Sequence, residues 1–215
     1  MYDVIILCAG SGTRTGLDIN KLFYKINDKE VILHTIEPFI NDEKCENIIV
    51  VSKENEMNYL KSLLNNSKII YTIGGANRSD SVKKGLEKVN SKYVLIHDGA
   101  RPNVSKDLLN RIKDGLLSHD SIIPVLKVSD TVISTTNEYL NRNNLLLIQT
   151  PQAFLTEKIK KAHELSDPSI EYTDDSMVYQ KCLNELVNFV DGDKHNIKFT
   201  TIDDVLILKA VLKWE

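Results

Sequence analysis

Val4-Ile5-Ile6-Leu7-Cys8-Ala9-Gly10-Ser11-Gly12-Thr13-Arg14-Thr15-Gly16-Leu17-Asp18-Ile19-Asn20-Lys21 carries most of the architectural signal in this chain. The apolar run Val4 to Leu7 fits a buried strand. It breaks into small residues, and the loop Gly10, Ser11, Gly12 and Thr13 lets backbone amides come close to an anion, because glycine has no Cβ in the way. Such amide concavities hold phosphate. Arg14 and Lys21 add full positive charge beside the loop. The plainer alternative is a strand-to-loop turn with two surface cations.

Two familiar phosphate motifs fail here. A dinucleotide fingerprint needs glycine where Thr15 stands, and no Gly-Lys-Ser/Thr tripeptide follows to make a Walker loop. What is left suits a triphosphate, and the stretch resembles the signature loop of sugar-phosphate nucleotidyltransferases.

Outward from this stretch, short apolar runs alternate with amphipathic ones. That is the pattern of an α/β, Rossmann-like fold with a mainly parallel sheet flanked by helices. Strands are expected at 47–51, 69–73, 93–96, 121–126, 186–190 and 197–200. Helices are expected at 31–39, 54–64, 81–89, 105–117, 156–164, 174–182 and 202–214, with Pro38 helping to end the first and Ser105 capping the fourth. From about 128 to 148 the alternation changes. Residues 130–134 and 145–149 read as strands around a turn at 135–138, either an arm that packs on a partner or a plain edge hairpin.

The 215 residues suggest one domain bearing that arm, and 42% hydrophobic content is enough for a full core. A net charge of −3 gives no basic field for nucleic acid. Cys8, Cys45 and Cys182 are far apart and odd in number, which fits a reducing compartment and makes no zinc pattern. The start Met1-Tyr2-Asp3 lacks a positive leader region, and the apolar run after it is too short to cross a bilayer. A cytoplasmic protein is expected, with no membrane partner.

Four further stretches could carry chemistry. Gly74-Gly75-Ala76-Asn77-Arg78-Ser79-Asp80-Ser81 is a glycine turn before a polar helix start. Ser81 either caps that helix or reads a base edge with the loop backbone. In His97-Asp98-Gly99-Ala100-Arg101-Pro102, Asp98 ends a strand where α/β sheets place ligands, and its hard oxygens suit Mg²⁺ shared with phosphates. A salt bridge from Asp98 to Arg101 is the structural alternative. Arg142 precedes Thr150-Pro151-Gln152-Ala153-Phe154. Lys198 sits in Asn196-Ile197-Lys198-Phe199-Thr200-Thr201, on one face of an expected short strand.

In order, these stretches together with Asp130-Thr131 and Thr173-Asp174-Asp175-Ser176 closely resemble the 2-C-methyl-D-erythritol 4-phosphate cytidylyltransferase family, over nearly the whole chain. Ribitol-5-phosphate cytidylyltransferases share most of the motifs. The resemblance implies transfer of CMP from CTP to a polyol phosphate. It implies Ala9, Gly10, Gly12, Gly75 and Ser81 around cytidine and triphosphate, and Arg14, Lys21 and Lys198 as catalytic cations. It also implies Asp98 at Mg²⁺, and Arg101, Thr131, Arg142, Thr150 and Lys198 at the polyol phosphate. Within the family the hairpin is an arm exchanged across a homodimer, so Thr131 and Arg142 would serve the neighbouring subunit.

The chain departs from the family pattern at several places: Asn20 replaces a proline before Lys21, Thr15 a methionine, Ile133 a lysine, Gly99 an alanine, and His195 an acidic residue. The missing lysine at 133 weakens the case for the methylerythritol substrate, since the relatives differ most in this arm, whereas Thr173 to Ser176 look more like the methylerythritol branch. A catalytically silent nucleotide-binding module would be expected to lack Arg14, Lys21, Asp98 or Lys198, and all four are present. The nucleophile would be a phosphate monoester whose second pKa is near 6, so no general base is needed. Catalysis would be positioning plus neutralisation of charge.

Overall fold

A computed structural model of the chain describes residues 1–10 and 19–212. The expectations for Gly12 and Arg14 lie outside the described residues. Among those residues, eight strands form one sheet whose hydrogen-bonded path is β10-β7-β11-β6-β1-β4-β5, with β12 beside β7. The strands are β1 (Tyr2–Leu7), β4 (Cys45–Ser52), β5 (Ile69–Ile73), β6 (Tyr93–Asp98), β7 (Ser121–Lys127), β10 (Leu146–Ile148), β11 (Gln152–Leu155) and β12 (Asn188–Asp191). The pairs β1/β4, β1/β6, β4/β5 and β12/β7 are parallel; β10 and β11 run antiparallel to their neighbours.

The central strands are covered on both faces, which is why they read as unbroken apolar runs rather than alternating ones. Val4, Ile6, Ile48, Val50 and Leu95 join the core of one face, with residues of α1 (Val31–Ile40), α2 (Met57–Leu63), α4 (Lys106–Gly115) and α7 (Asp204–Val211). Ile5, Ile49, Val51, Val94 and Ile96 join the core of the other, with α3 (Arg78–Leu86), α5 (Thr156–Leu165) and α6 (Asp175–Leu183). Each such side chain, fully buried, is worth about 1.5–3 kcal/mol. The α3 contact with β1 depends on Gly85, where a Cβ would come within 2.7 Å of Ile5.

Several expectations are corrected. The first helix is not ended by Pro38. It continues to Ile40 because Ile36 and Phe39 are buried on one side of it, and Asn41 N–H still reaches the Glu37 carbonyl at 3.0 Å. The hairpin is β8 (Val132–Ile133) with β9 (Tyr139–Leu140), whereas the 145–149 stretch turns back and pairs with β7. Residues 197–200 form no strand. Phe199 is fully buried and its N–H bonds the Ala100 carbonyl at 2.8 Å, so an irregular segment is docked by one side chain and one backbone bond. Neither β11 nor the small hairpin of β2 (Lys25–Ile26) and β3 (Lys29–Glu30) was expected. The hairpin turns on Asn27 and Asp28, both at positive φ, a conformation these two residue types tolerate.

Candidate active site

The carboxyl ends of β1 and β6 and the loop after β5 open onto a cleft of about 560 Å³. This is where a parallel sheet presents loop amides and the end residues of several strands to a ligand. Ala9 and Gly10 come from the end of β1, Gly74 to Arg78 from the loop after β5 and the start of α3, and Asp98 from the tip of β6. A 3-10 turn, Lys21–Phe23, contributes Lys21, and the irregular segment before α7 contributes Lys198.

Ser81 is buried in the cleft wall, but it does not cap α3. Asn77 does, accepting the Asp80 N–H at 2.9 Å. Ser81 Oγ instead donates to the Asn77 carbonyl at 2.9 Å and accepts the Gly75 N–H at 3.2 Å. It thereby folds the glycine turn back against the helix. The turn tolerates no side chain at Gly75, since a Cβ there would lie 2.2 Å from Asp80 Cβ and 3.0 Å from its backbone carbon.

Charge is what sets this cleft apart. Among the described lining residues Lys21, Lys53, Arg78 and Lys198 are basic, and Asp98 is the one carboxylate. Lys198 Nζ is 2.7 Å from Asp98 Oδ2, and Arg78 Nη2 is 3.7 Å from Oδ1. Burial alone would raise the Asp98 pKa, but Arg78, Lys198 and Arg101 outweigh it and hold the carboxyl well below its usual range. Lys21 Nζ donates to the Phe199 carbonyl at 2.6 Å, which places it beside Lys198. Arg78 is anchored from behind: its Nη2 is 2.7 Å from Asp175 Oδ2, and His163 Nε2 meets Asp175 Oδ1 at 3.1 Å. Burial opposes the Arg78 charge, yet Asp175 and Asp98 push its pKa above the ordinary value.

The structural alternative for Asp98, a bridge to Arg101, is not what forms. Arg101 is half-buried behind the cleft, with Nη1 donating to the Asn196 carbonyl at 2.8 Å; its Nε finds no partner among the described residues. Thr150 is also behind Asp98. Its Oγ1 accepts the Asp98 N–H at 3.1 Å and bonds His97 Nδ1 at 2.9 Å, while His97 Nε2 meets the Arg101 carbonyl at 3.1 Å. That carbonyl can only accept, so Nε2 carries the proton and Nδ1 accepts from the Thr150 hydroxyl. Burial pushes the His97 pKa down to about 4, consistent with this neutral tautomer.

The structure thus brings Ala9, Gly10, Lys21, Gly75, Ser81, Asp98 and Lys198 to one cleft. Thr131 and Arg142 are not there. Both are exposed on the arm, where Arg142 Nη1 donates to the Ser129 carbonyl. Sequence reasoning gave no role to Arg78 and missed Lys53 altogether. Lys53 directly follows β4, so a cation at the carboxyl end of a strand next to β1 was the available signal.

No cluster of three or more His, Cys, Asp or Glu among the described residues could cage a metal. A lone carboxylate amid cations still fits Mg²⁺, which commonly takes one or two carboxylates and completes its shell with phosphate oxygens and water.

A family profile described as IspD: 2-C-methyl-D-erythritol 4-phosphate cytidylyltransferase matches residues 2–214. A 2-C-methyl-D-erythritol 4-phosphate cytidylyltransferase of Clostridioides difficile is 39% identical over 228 residues, covering 100% of this chain and 95% of the relative. Among solved structures, the 4-diphosphocytidyl-2C-methyl-D-erythritol synthase of Anaerococcus prevotii superposes with a TM-score of 0.86 at 28% identity, covering 99% of this chain and 96% of that one. The bifunctional IspDF of Campylobacter jejuni superposes with a TM-score of 0.85 at 32% identity. That match covers 96% of this chain but 53% of the bifunctional one, so this chain spans about half its length.

Proposed function

The chain belongs to the 2-C-methyl-D-erythritol 4-phosphate cytidylyltransferase family, and we propose that it transfers CMP from CTP to the phosphate of 2-C-methyl-D-erythritol 4-phosphate, releasing pyrophosphate. The observation that carries this reading is the gathering of Lys21, Lys53, Arg78 and Lys198 around one carboxylate, in a chain whose net charge is −3. A cleft of that kind attracts polyanions and can bring two of them together.

The attacking phosphate is already largely dianionic at neutral pH, so the chain has charge to neutralise rather than a proton to remove. Lys21 and Arg14 would neutralise the α-phosphate and the leaving pyrophosphate, the role the family resemblance gives them. Lys198 lies between nucleophile and electrophile. Ala9, Gly10, Gly75 and Ser81 line the cleft where cytidine and triphosphate would lie, and the family resemblance adds Gly12 to them. Asp98 would hold a Mg²⁺ shared with the phosphates, an ion that supplies further neutralisation of phosphoryl oxygens when bound. The family resemblance also gives Arg101 and Thr150 to the polyol phosphate, although neither lines the described cleft and both lie behind Asp98. Thr131 and Arg142 would complete the polyol phosphate site of a second subunit, through arm exchange in a homodimer. Three cysteines without a disulfide support a cytoplasmic setting.

Pyrophosphate release from CTP, measured with 2-C-methyl-D-erythritol 4-phosphate and with ribitol 5-phosphate, tests the assignment. Turnover is expected with the first. Turnover with ribitol 5-phosphate alone would move the chain to the other substrate.

A further inference from the structure

Lys21 begins a 3-10 turn of three residues, too short to hold itself in place through its own hydrogen bonds. The side chain before it works in two directions. Asn20 Oδ1 accepts the Leu22 N–H at 3.1 Å, while Nδ2 lies 3.0 Å from each carboxylate oxygen of Glu56. Capping requires the first contact only. The second ties the turn to the segment after β4, the same segment that carries Lys53 into the cleft. An amide donating to a carboxylate is a charge-assisted bond, stronger than a neutral one. Leu22 is buried beneath the turn, Phe23 N–H reaches the Asn20 carbonyl at 2.9 Å, and Lys21 Nζ reaches the Phe199 carbonyl. Glu56 itself does not line the cleft.

We propose that the Asn20–Glu56 contact is a clamp that sets the position of Lys21, making Asn20 and Glu56 positioning residues for CMP transfer. This rests on the assignment of Lys21 to the phosphates made above. The clamp fixes the backbone from which Lys21 reaches the Phe199 carbonyl, at a site where a displacement of about 1 Å costs up to about a hundredfold in rate. Asn20 also has φ −58°, a value proline adopts, so the turn could be held by a ring instead of by Glu56.

The test is steady-state pyrophosphate release from CTP and 2-C-methyl-D-erythritol 4-phosphate, with the melting temperature of each variant measured in parallel. Asn20→Ala and Glu56→Ala are each expected to lower kcat about tenfold with little change in KM. The double variant should be no worse than either single one, because the two act as a unit. Asn20→Pro should restore most of the lost turnover and render Glu56→Ala nearly silent in that background. Should the proline variant not fold, the cycle between the two alanine variants decides alone. Additive losses, or a lowered melting temperature with kcat intact, would overturn the clamp while an inactive Lys21→Ala left the functional assignment standing. Wild-type turnover in Lys21→Ala would overturn the clamp together with the phosphate role of Lys21, while CMP transfer itself would stand.

Discussion

Lys21 and Lys198 are neighbours through Phe199, whose carbonyl one of them bonds and whose backbone the other precedes. The burial of Phe199 therefore fixes the spacing of two cations. Replacing either lysine by alanine should cut turnover about a hundredfold or more with the fold intact, a loss comparable to removing one oxyanion donor. Single-turnover kinetics would separate that from a binding defect. Asp175 makes a different case. It is buried and holds Arg78 against both itself and, at longer range, Asp98. Asp175→Asn should cost about 2–3 kcal/mol of stability, less than a wholly buried pair because Arg78 keeps partial access to water. Urea unfolding of the variant measures it.

At the level of elements, His97 on β6 links Thr150, just before β11, to the Arg101 carbonyl, and through Thr150 to the backbone of Asp98. Its pKa falls from 6.5 to about 4 on folding. The stabilisation from this depressed value is fully present above about 6.5 and is lost as the pH falls toward 4, by roughly 3 kcal/mol in all. His97→Gln should lower stability at neutral pH yet flatten the decline between pH 6.5 and 4, as read from unfolding curves across that range. Much of this layout was legible in the sequence. Strand ends flagged by glycine, at Gly10, Gly74 and Gly99, all open onto the cleft. The sequence was silent where a contact crosses many residues: the docking of Phe199 on Ala100 passed for strand alternation, and the pairing of Arg78 with Asp175 spans 97 positions. Of the two alternatives for Ser81, the cap falls to Asn77, because the helix starts about one turn earlier than its apolar spacing implies.

Taken as a whole molecule, the chain leaves apolar side chains uncovered along the arm and the strand that returns from it. Ile133, Tyr139, Leu146, Leu147 and Ile148 are each at least 41% exposed. A second subunit lying on this side would cover them and would bring Thr131 and Arg142 within reach of a cleft that is not their own. Mixing an Arg142→Ala chain with a Lys21→Ala chain should then recover some activity, because one site in each heterodimer would hold both intact residues. Mixtures that stay as inactive as their parents would mean that each chain works by itself.

The end of the sheet away from the cleft is fastened by a single buried carboxylate. Asp3 takes N–H groups from Asn47, Asn90 and Ser91, the Asn47 side-chain amide and the Ser91 hydroxyl, all within 3.1 Å. Asn90 and Ser91 belong to no helix or strand, yet their amide protons should trade for deuterium as slowly as those in the middle of β1. Followed by mass spectrometry, these two positions would time the opening of the molecule's base. Fast labelling there, with β1 still protected, would mean that the base frays separately from the sheet above it.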